Sequence, residues 1–340
     1  MTAGNVGVMN QISSLQVMRA IAAIGVVSLH VGGSALFVGN AGVDLFFVIS
    51  GFVMVYSSAN LFGKAASIAT FAIRRILRIA PLYWLVTATL VLLYGGETGA
   101  AILKTLFFVP YANATGAWLP IGYVGWTLNY EMFFYVIFAV ALVLPRRFAV
   151  AVVVGAIAFL ALIGHFAAPS GIVDFWTKPI ILEFAFGCVL GLAYLEGLRL
   201  PRPLTAVLVM AAIVALVLGT SSSEMVRPFV WGLSAAALVA AACLVKKPWL
   251  LGDLAAPLRL LGDASYALYL VHVPVLSFMV GQGYPRPVIF WSTIVVAIVV
   301  HWVVEKPIAS IARAWRQSSA RARQDAAAHD VPAATQGARP

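Results

Sequence analysis

Arg19 and His30 stand eleven positions apart in an apolar run that extends from Leu15 to His30. On a helix, eleven steps of about 100° return the two side chains to within roughly 20° of one another and separate them by roughly 16 Å. That rise is about half the thickness of a bilayer core. Ionisable side chains in such a segment cost about 2.5–3.5 kcal/mol each to insert and are kept for function. The imidazole is a base or nucleophile near neutral pH. The guanidinium is a permanent cation suited to phosphate or carboxylate.

Five other segments carry chemistry. Asp44 lies in Ala41-Gly-Val-Asp-Leu-Phe-Phe-Val-Ile-Ser-Gly51, and Glu131 lies in Trp126-Thr-Leu-Asn-Tyr-Glu131. A carboxylate beside His30 would fix its tautomer and raise its basicity, as a general base requires. Each acid is equally readable as a satisfied interior group that bonds a helix end. Arg74, Arg75 and Arg78 follow at i, i+1 and i+4 on one helix surface. A fork of guanidiniums suits phosphates through bidentate bonds, and an anchor on anionic lipid reads as well. Tyr266, Tyr269 and His272 continue one face from Gly262-Asp263-Ala-Ser265, where Asp263 or Ser265 is a candidate N-cap. That face either lines a central cavity or bonds a neighbouring backbone. Glu305, after His301 and before Pro307, is a candidate partner for an inner arginine.

The elements that position these residues are read from composition. Of 340 residues, 62% are hydrophobic and 10% charged, with mean hydropathy +0.98. Soluble domains carry about 25% charged residues, so the chain is an integral membrane protein. Its apolar runs lack strand alternation, which predicts an all-α polytopic bundle rather than a barrel. Ten transmembrane helices are expected, near 15–34, 41–59, 76–95, 126–144, 148–167, 178–196, 204–220, 228–245, 262–281 and 287–305. The first 18 residues hold no Lys or Arg, so the N-terminus is not read as a cleaved signal. Residues 1–308 read as a single transmembrane domain and 309–340 as a basic, partly disordered tail. Gly187 and Gly191 make a GxxxG pattern, common in such spans and of low weight alone. Cys188 and Cys243 read as small core residues rather than a disulfide or metal pair.

The formal charge of +10 is distributed in alternate connections rather than on one face, which argues against nucleic acid. With both termini in the cytoplasm, inside segments hold Arg74, Arg75, Arg78, Arg146, Arg147, Arg199, Arg202, Lys246, Lys247 and the tail. Outside loops hold only Lys104, Lys178, Arg227 and Arg286. The positive-inside rule therefore places both termini inside. Arg19 is then near the cytoplasmic end of its span, and His30, Asp44 and Glu131 are expected to converge in the outer half.

These pieces, in this order, resemble the membrane-bound acyltransferase-3 family of bacterial O-acyltransferases. The matching residues are Arg19 with His30, Gly42 to Phe52, Arg75 with Arg78, Trp126 to Glu131, Ser265 to His272, and Val304 to Pro307. The form of the Trp126 segment, with no attached soluble domain, resembles the exopolysaccharide-production branch, whose members acetylate succinoglycan-type sugars. The resemblance implies His30 as the catalytic histidine, supported by Arg19, with Arg75 and Arg78 in donor binding or catalysis. It implies acyl-CoA, acetyl-CoA foremost, as a cytoplasmic donor substrate with no bound cofactor or metal. It further implies an exopolysaccharide or lipid-linked oligosaccharide as acceptor, in the bacterial inner membrane, beside lipids and polysaccharide-assembly proteins. The rival readings are a secondary transporter of a glycan precursor or anionic metabolite, with the same residues lining a path, and a scaffold without chemistry.

Overall fold

The computed structural model describes residues 3–32, 38–219, 223–246 and 255–311, and is helical throughout. The tail expected beyond residue 309 lies almost wholly outside the described residues. In chain order the helices are α1 (Ala3–Gly32), α2 (Val38–Ser57), α3 (Ser67–Tyr94), α4 (Gly99–Leu106) and α5 (Trp126–Ala141). They continue as α6 (Arg146–Ala167), α7 (Gly171–Thr177), α8 (Leu182–Leu195), α9 (Arg202–Leu218) and α10 (Leu233–Leu244). The last three are α11 (Ala256–Asp263), α12 (Ser265–Gly281) and α13 (Arg286–Val300).

Six helices are long and apolar enough to cross a membrane, or seven if α11 and α12, bent by 69° at their junction, form one span. Segments Ala41–Ser57, Arg202–Leu218 and Pro228–Leu244 are shorter apolar helices. Six or seven helices thus have the length to cross, against the ten crossings expected, and three more of the expected segments are short apolar helices. Lipid offers no partner for backbone N–H and C=O, so the helix is the form that satisfies them internally. Outward faces are apolar accordingly, with Leu92, Phe148, Phe159, Val217 and Trp291 among the exposed side chains.

The core forms where helices come closest. A Cβ built on Gly187 would lie 2.0 Å from the Val48 carbonyl oxygen, and one on Gly51 2.2 Å from that of Phe184. The small residues at 51, 187 and 191 let α2 and α8 pack backbone to backbone, the contact that stabilises helix pairs where lipid removes the hydrophobic drive. Gly187→Ala is therefore expected to cost about 1–3 kcal/mol by overpacking. Thermal unfolding of the detergent-solubilised variant checks this, and an unchanged midpoint would show that the pair tolerates separation. Beside this seam Phe47, Phe134 and Phe184 stack in one aromatic cluster, with centroids 4.5 Å apart for each contact to Phe184.

Residues 96–125 form a folded connection between α3 and α5. Thr98 caps α4 by accepting from the Ala101 N–H, and the Trp84 indole donates to the Leu106 carbonyl, tying the loop to α3. The Asn113 side-chain oxygen accepts from the N–H groups of Thr115 and Ala117 and from the Thr115 hydroxyl, shaping a turn. The segment then enters the bundle as a 3₁₀ turn at Tyr123–Gly125, where Val124 and Gly125 are buried. At the opposite end of α5, Arg146 and Arg147 clamp Glu196 at the end of α8. Those donated bonds, Arg147 first, hold the Glu196 carboxyl below its ordinary range.

Candidate active site

The site is built on two helices, α1 and α12, that meet at two levels. At the first level Arg19 Nε donates to Ser265 Oγ at 3.1 Å. At the second, His30 Nδ1 and His272 Nε2 are 3.1 Å apart. The order of the contacts is the same along both helices, so α1 and α12 run parallel. The helical stripe predicted for Arg19 and His30 is real: both side chains face α12.

A cavity of about 150 Å³ opens at the first level. Arg19, Arg75 and Arg78 line it, with Ser50, Glu131, Tyr135, Ser265, Tyr266 and Tyr269. Arg78 is exposed and Arg19 and Arg75 are half-buried, so the guanidiniums ring its mouth. Arg75 Nη2 donates to Ser57 Oγ at 2.7 Å, and its guanidinium lies over Phe71 and Tyr135. The Arg78 guanidinium lies 5.8 Å from the Tyr266 ring, whose hydroxyl donates to the Ile79 carbonyl. Arg74, on the same helix, does not line the cavity. Three guanidiniums against one carboxylate leave the chamber cationic, in a setting where charge acts at low dielectric.

Glu131 is in this cationic chamber and not beside His30, contrary to expectation. It accepts from Ser50 Oγ at 3.0 Å and from the Tyr135 hydroxyl. The reason is the depth at which α5 begins. The 3₁₀ turn before α5 is already inside the bundle, with the Val124 carbonyl accepting from Tyr269 OH at 3.0 Å. Thr127 Oγ1 lies 2.8 Å from the same hydroxyl. Glu131, one turn further, therefore passes Tyr269 towards the arginines.

Asp44 does not converge on His30 either. It is bound bidentately by Arg227, at 3.0 Å to Nε and 2.8 Å to Nη2. Asp44 is fully buried, and Glu183 of α8, also fully buried, lies against the same pair with its stem on Gly232. Sequence reading placed Arg227 in an outer loop and passed over Glu183. An acid at position 183, inside the apolar run 179–195, was the available signal. Two further expectations are revised. Neither Asp263 nor Ser265 caps α12, whose N-cap is Ala264 without a side-chain bond. Glu305 pairs with His301 at 2.6 Å rather than with an arginine, because α13 widens into a π turn at His301–Glu305 that stacks the two side chains.

Tyr269 stands between the two levels. It lines the arginine cavity, its ring lies 5.9 Å from Phe46, and it is 6.0 Å from the His272 ring. His30 is half-buried, with Tyr123 edge-on at 5.2 Å. Tyr266, Tyr269 and His272 thus share one interior face as predicted, but only the tyrosines border the cavity. Among the described residues no cluster of His, Cys, Asp and Glu has the geometry to hold a metal ion. Cys188 and Cys243 are buried free thiols.

Fold and site together define a multi-pass membrane protein with a cationic cavity and an imidazole pair on the same two parallel helices. The family model for the acyltransferase domain matches residues 12–306, and the chain belongs to that family. It is a membrane-bound O-acyltransferase. Exopolysaccharide production protein ExoZ of Rhizobium meliloti (strain 1021) is 32% identical over 82% of this chain and 92% of its own length. Putative peptidoglycan O-acetyltransferase YrhL of Bacillus subtilis (strain 168) is 28% identical over 87% of this chain and 55% of its own length. Acyltransferase MdmB of Streptomyces mycarofaciens is 27% identical over 87% and 91% respectively. No solved structure matches the chain.

Proposed function

We propose that this chain moves an acyl group, acetyl foremost, from acyl-CoA to a sugar hydroxyl of an exopolysaccharide or its lipid-linked precursor. The observation that carries the reading is the stacking of a guanidinium-ringed cavity and a histidine pair along α1 and α12. The likeness to an exopolysaccharide production protein and to a putative O-acetyltransferase supports the acceptor class and the acetyl group. A volume of about 150 Å³ suits a group the size of benzene. The cavity therefore takes the slender acyl-bearing arm of the donor and not its nucleotide, whose phosphates stay at the mouth with Arg75, Arg78 and the neighbouring Arg74. There the guanidiniums form charge-assisted bonds with phosphate oxygens.

The arm passes Phe46 and Tyr269 to reach His30. His30 takes the proton of the sugar hydroxyl as its oxygen attacks the thioester carbonyl. The carbon–sulfur bond breaks, the coenzyme leaves as a thiolate, and the proton on His30 passes to that sulfur. Arg19, one level below His30 on the same stripe, adds its charge to the cationic chamber that the arm of the donor crosses. In this reading the protein lies in the bacterial inner membrane with the arginine mouth and both termini in the cytoplasm. The concentration of Lys and Arg in alternate connections supports that orientation. The parallel run of α1 and α12 agrees with an odd number of crossings between them, as ten spans require.

The bent α11–α12 pair is also a transporter feature, since broken helices commonly form substrate sites at the bilayer midplane. Thiol release separates the two readings. Purified protein given acetyl-CoA and unacetylated polysaccharide from a deletion strain is expected to liberate free thiol in step with polymer acetylation. Absence of thiol release, together with counterflow of acetyl-CoA or polysaccharide precursor in liposomes, would replace the enzyme reading by transport of that substrate.

A further inference from the structure

We infer that His272 is the positioning residue of His30, holding it in the tautomer that leaves Nε2 free for the acceptor hydroxyl. The inference rests on the transfer reading above and goes beyond it by assigning a role to a second histidine.

The His30–His272 contact places Nδ1 of one ring 3.1 Å from Nε2 of the other, with centroids 5.0 Å apart and planes inclined by 22°. Only one of these nitrogens carries the shared proton, and the backbone decides which. His272, the fully buried ring and so the one whose surroundings are fixed, sits one turn beyond the Leu268 and Tyr269 carbonyls of its own helix. A carbonyl only accepts, so it favours N–H on the nitrogen that faces the helix. His272 Nε2 faces His30, which leaves its buried Nδ1 on the helix side, where it has no partner of regular hydrogen-bond geometry and those carbonyls are the acceptors it meets. With the proton on Nδ1, His272 Nε2 is an acceptor. His30 must then donate from Nδ1, and its Nε2 keeps the lone pair. A base so oriented is the second member of an orienter–base–nucleophile series, the arrangement that acyl-transfer sites on unrelated folds have in common. Here a neutral imidazole stands where those sites place a carboxylate.

Burial supports the assignment. His272 is fully buried while His30 is half-buried, so the inner ring is fixed and the outer one meets substrate. The other groups at hand do not take the orienting role. Tyr123 meets His30 edge-on, Tyr269 bonds Thr127 and the Val124 carbonyl, and Arg286 is engaged on the Gly32 carbonyl at 2.5 Å. Asp44 and Glu131, the acids expected to orient an imidazole, are held by Arg227 and by Ser50 with Tyr135.

The test compares two variants and one spectrum. His272→Phe fills the space without an acceptor, and His272→Gln restores an amide oxygen near the place of Nε2. Rates are read as thiol release from acetyl-CoA with unacetylated polysaccharide as acceptor. His272→Phe is expected to lower kcat on the order of 100-fold, the lower end of a general base's contribution, with KM for acetyl-CoA unchanged. His272→Gln is expected to recover most of that loss. ¹⁵N-histidine NMR of the wild-type protein, assigned by the His30→Gln variant, should show His30 protonated on Nδ1. Wild-type kcat in His272→Phe, equal loss in both variants, or a His30 proton on Nε2 would each overturn the inference. If His272→Phe fails to accumulate, the wild-type spectrum still decides. An active His30→Ala would also overturn the inference by removing His30 from the chemistry, whereas absence of thiol release by the wild-type protein would overturn the transfer reading itself.

Discussion

Replacing His30 with alanine is expected to abolish acylation of the surface polysaccharide while the protein still accumulates in the membrane. His30 is the one half-buried imidazole of the pair, and its Nε2 points away from the bond to His272. General-base contributions run to about 10²–10⁴-fold, so polymer acetylation should fall by at least the lower figure. The substitution removes a side chain from a partly open position near the end of α1. It breaks no helix contact of the α2–α8 seam and leaves Arg19 on Ser265. Abundance in the membrane, read by immunoblot, should therefore match wild type. Mass spectrometry of the polysaccharide supplies the readout. Retained acetylation at normal abundance would remove His30 from the chemistry and, with it, the path that links the two levels of α1 and α12.

The largest stability effect is expected at Arg227, on the far side of α2. Arg227→Ala leaves Asp44, which is 0% exposed, as an uncompensated charge beside Glu183. Breaking a buried pair in this way costs about 3–5 kcal/mol. Asp44→Asn is expected to cost less, because the Arg227 side chain is 23% exposed and can turn its head to water while the amide still accepts one bond. Arg227→Lys should fall between, since an ammonium cannot reproduce the two-pronged contact. Thermal unfolding in detergent orders the three variants. The reverse order, with Asp44→Asn the most damaging, would mean that the acid and not the cation is the group the bundle depends on. Per folded molecule, Asp44→Asn is expected to keep its transfer rate, because the carboxylate makes no contact with His30.

Much of this was legible along the chain. A helical period in an apolar run places Arg19 and His30 on one stripe, and that relation is local: it depends on about 100° per residue and nothing else. The same holds for Tyr266, Tyr269 and His272, and for the small residues of α8. Class was legible too, since a chain with so few charges has no soluble alternative, and the ordered motifs that begin at Arg19 resemble the acyltransferase family whose model matches residues 12–306.

What the chain could not show is which stripes meet. Glu131 was placed by counting from a helix start assumed to lie at the membrane surface. The start is sunk in the bundle because residues 107–125 fold inward, and the count carried the acid past Tyr269. Asp44 was assigned to the nearest base in the expected plane, whereas a guanidinium 183 positions away in sequence reaches it with two bonds. Local periodicity sets the direction of a side chain on its own helix. Partner choice among buried charges is set by the depth and rotation of every helix packed around them, because each desolvated ion must find its counter-group. For that reason the stripe of Arg19 and His30 is a property of the sequence, and the pairing of His30 with His272 rather than with an acid is a property of the assembled bundle.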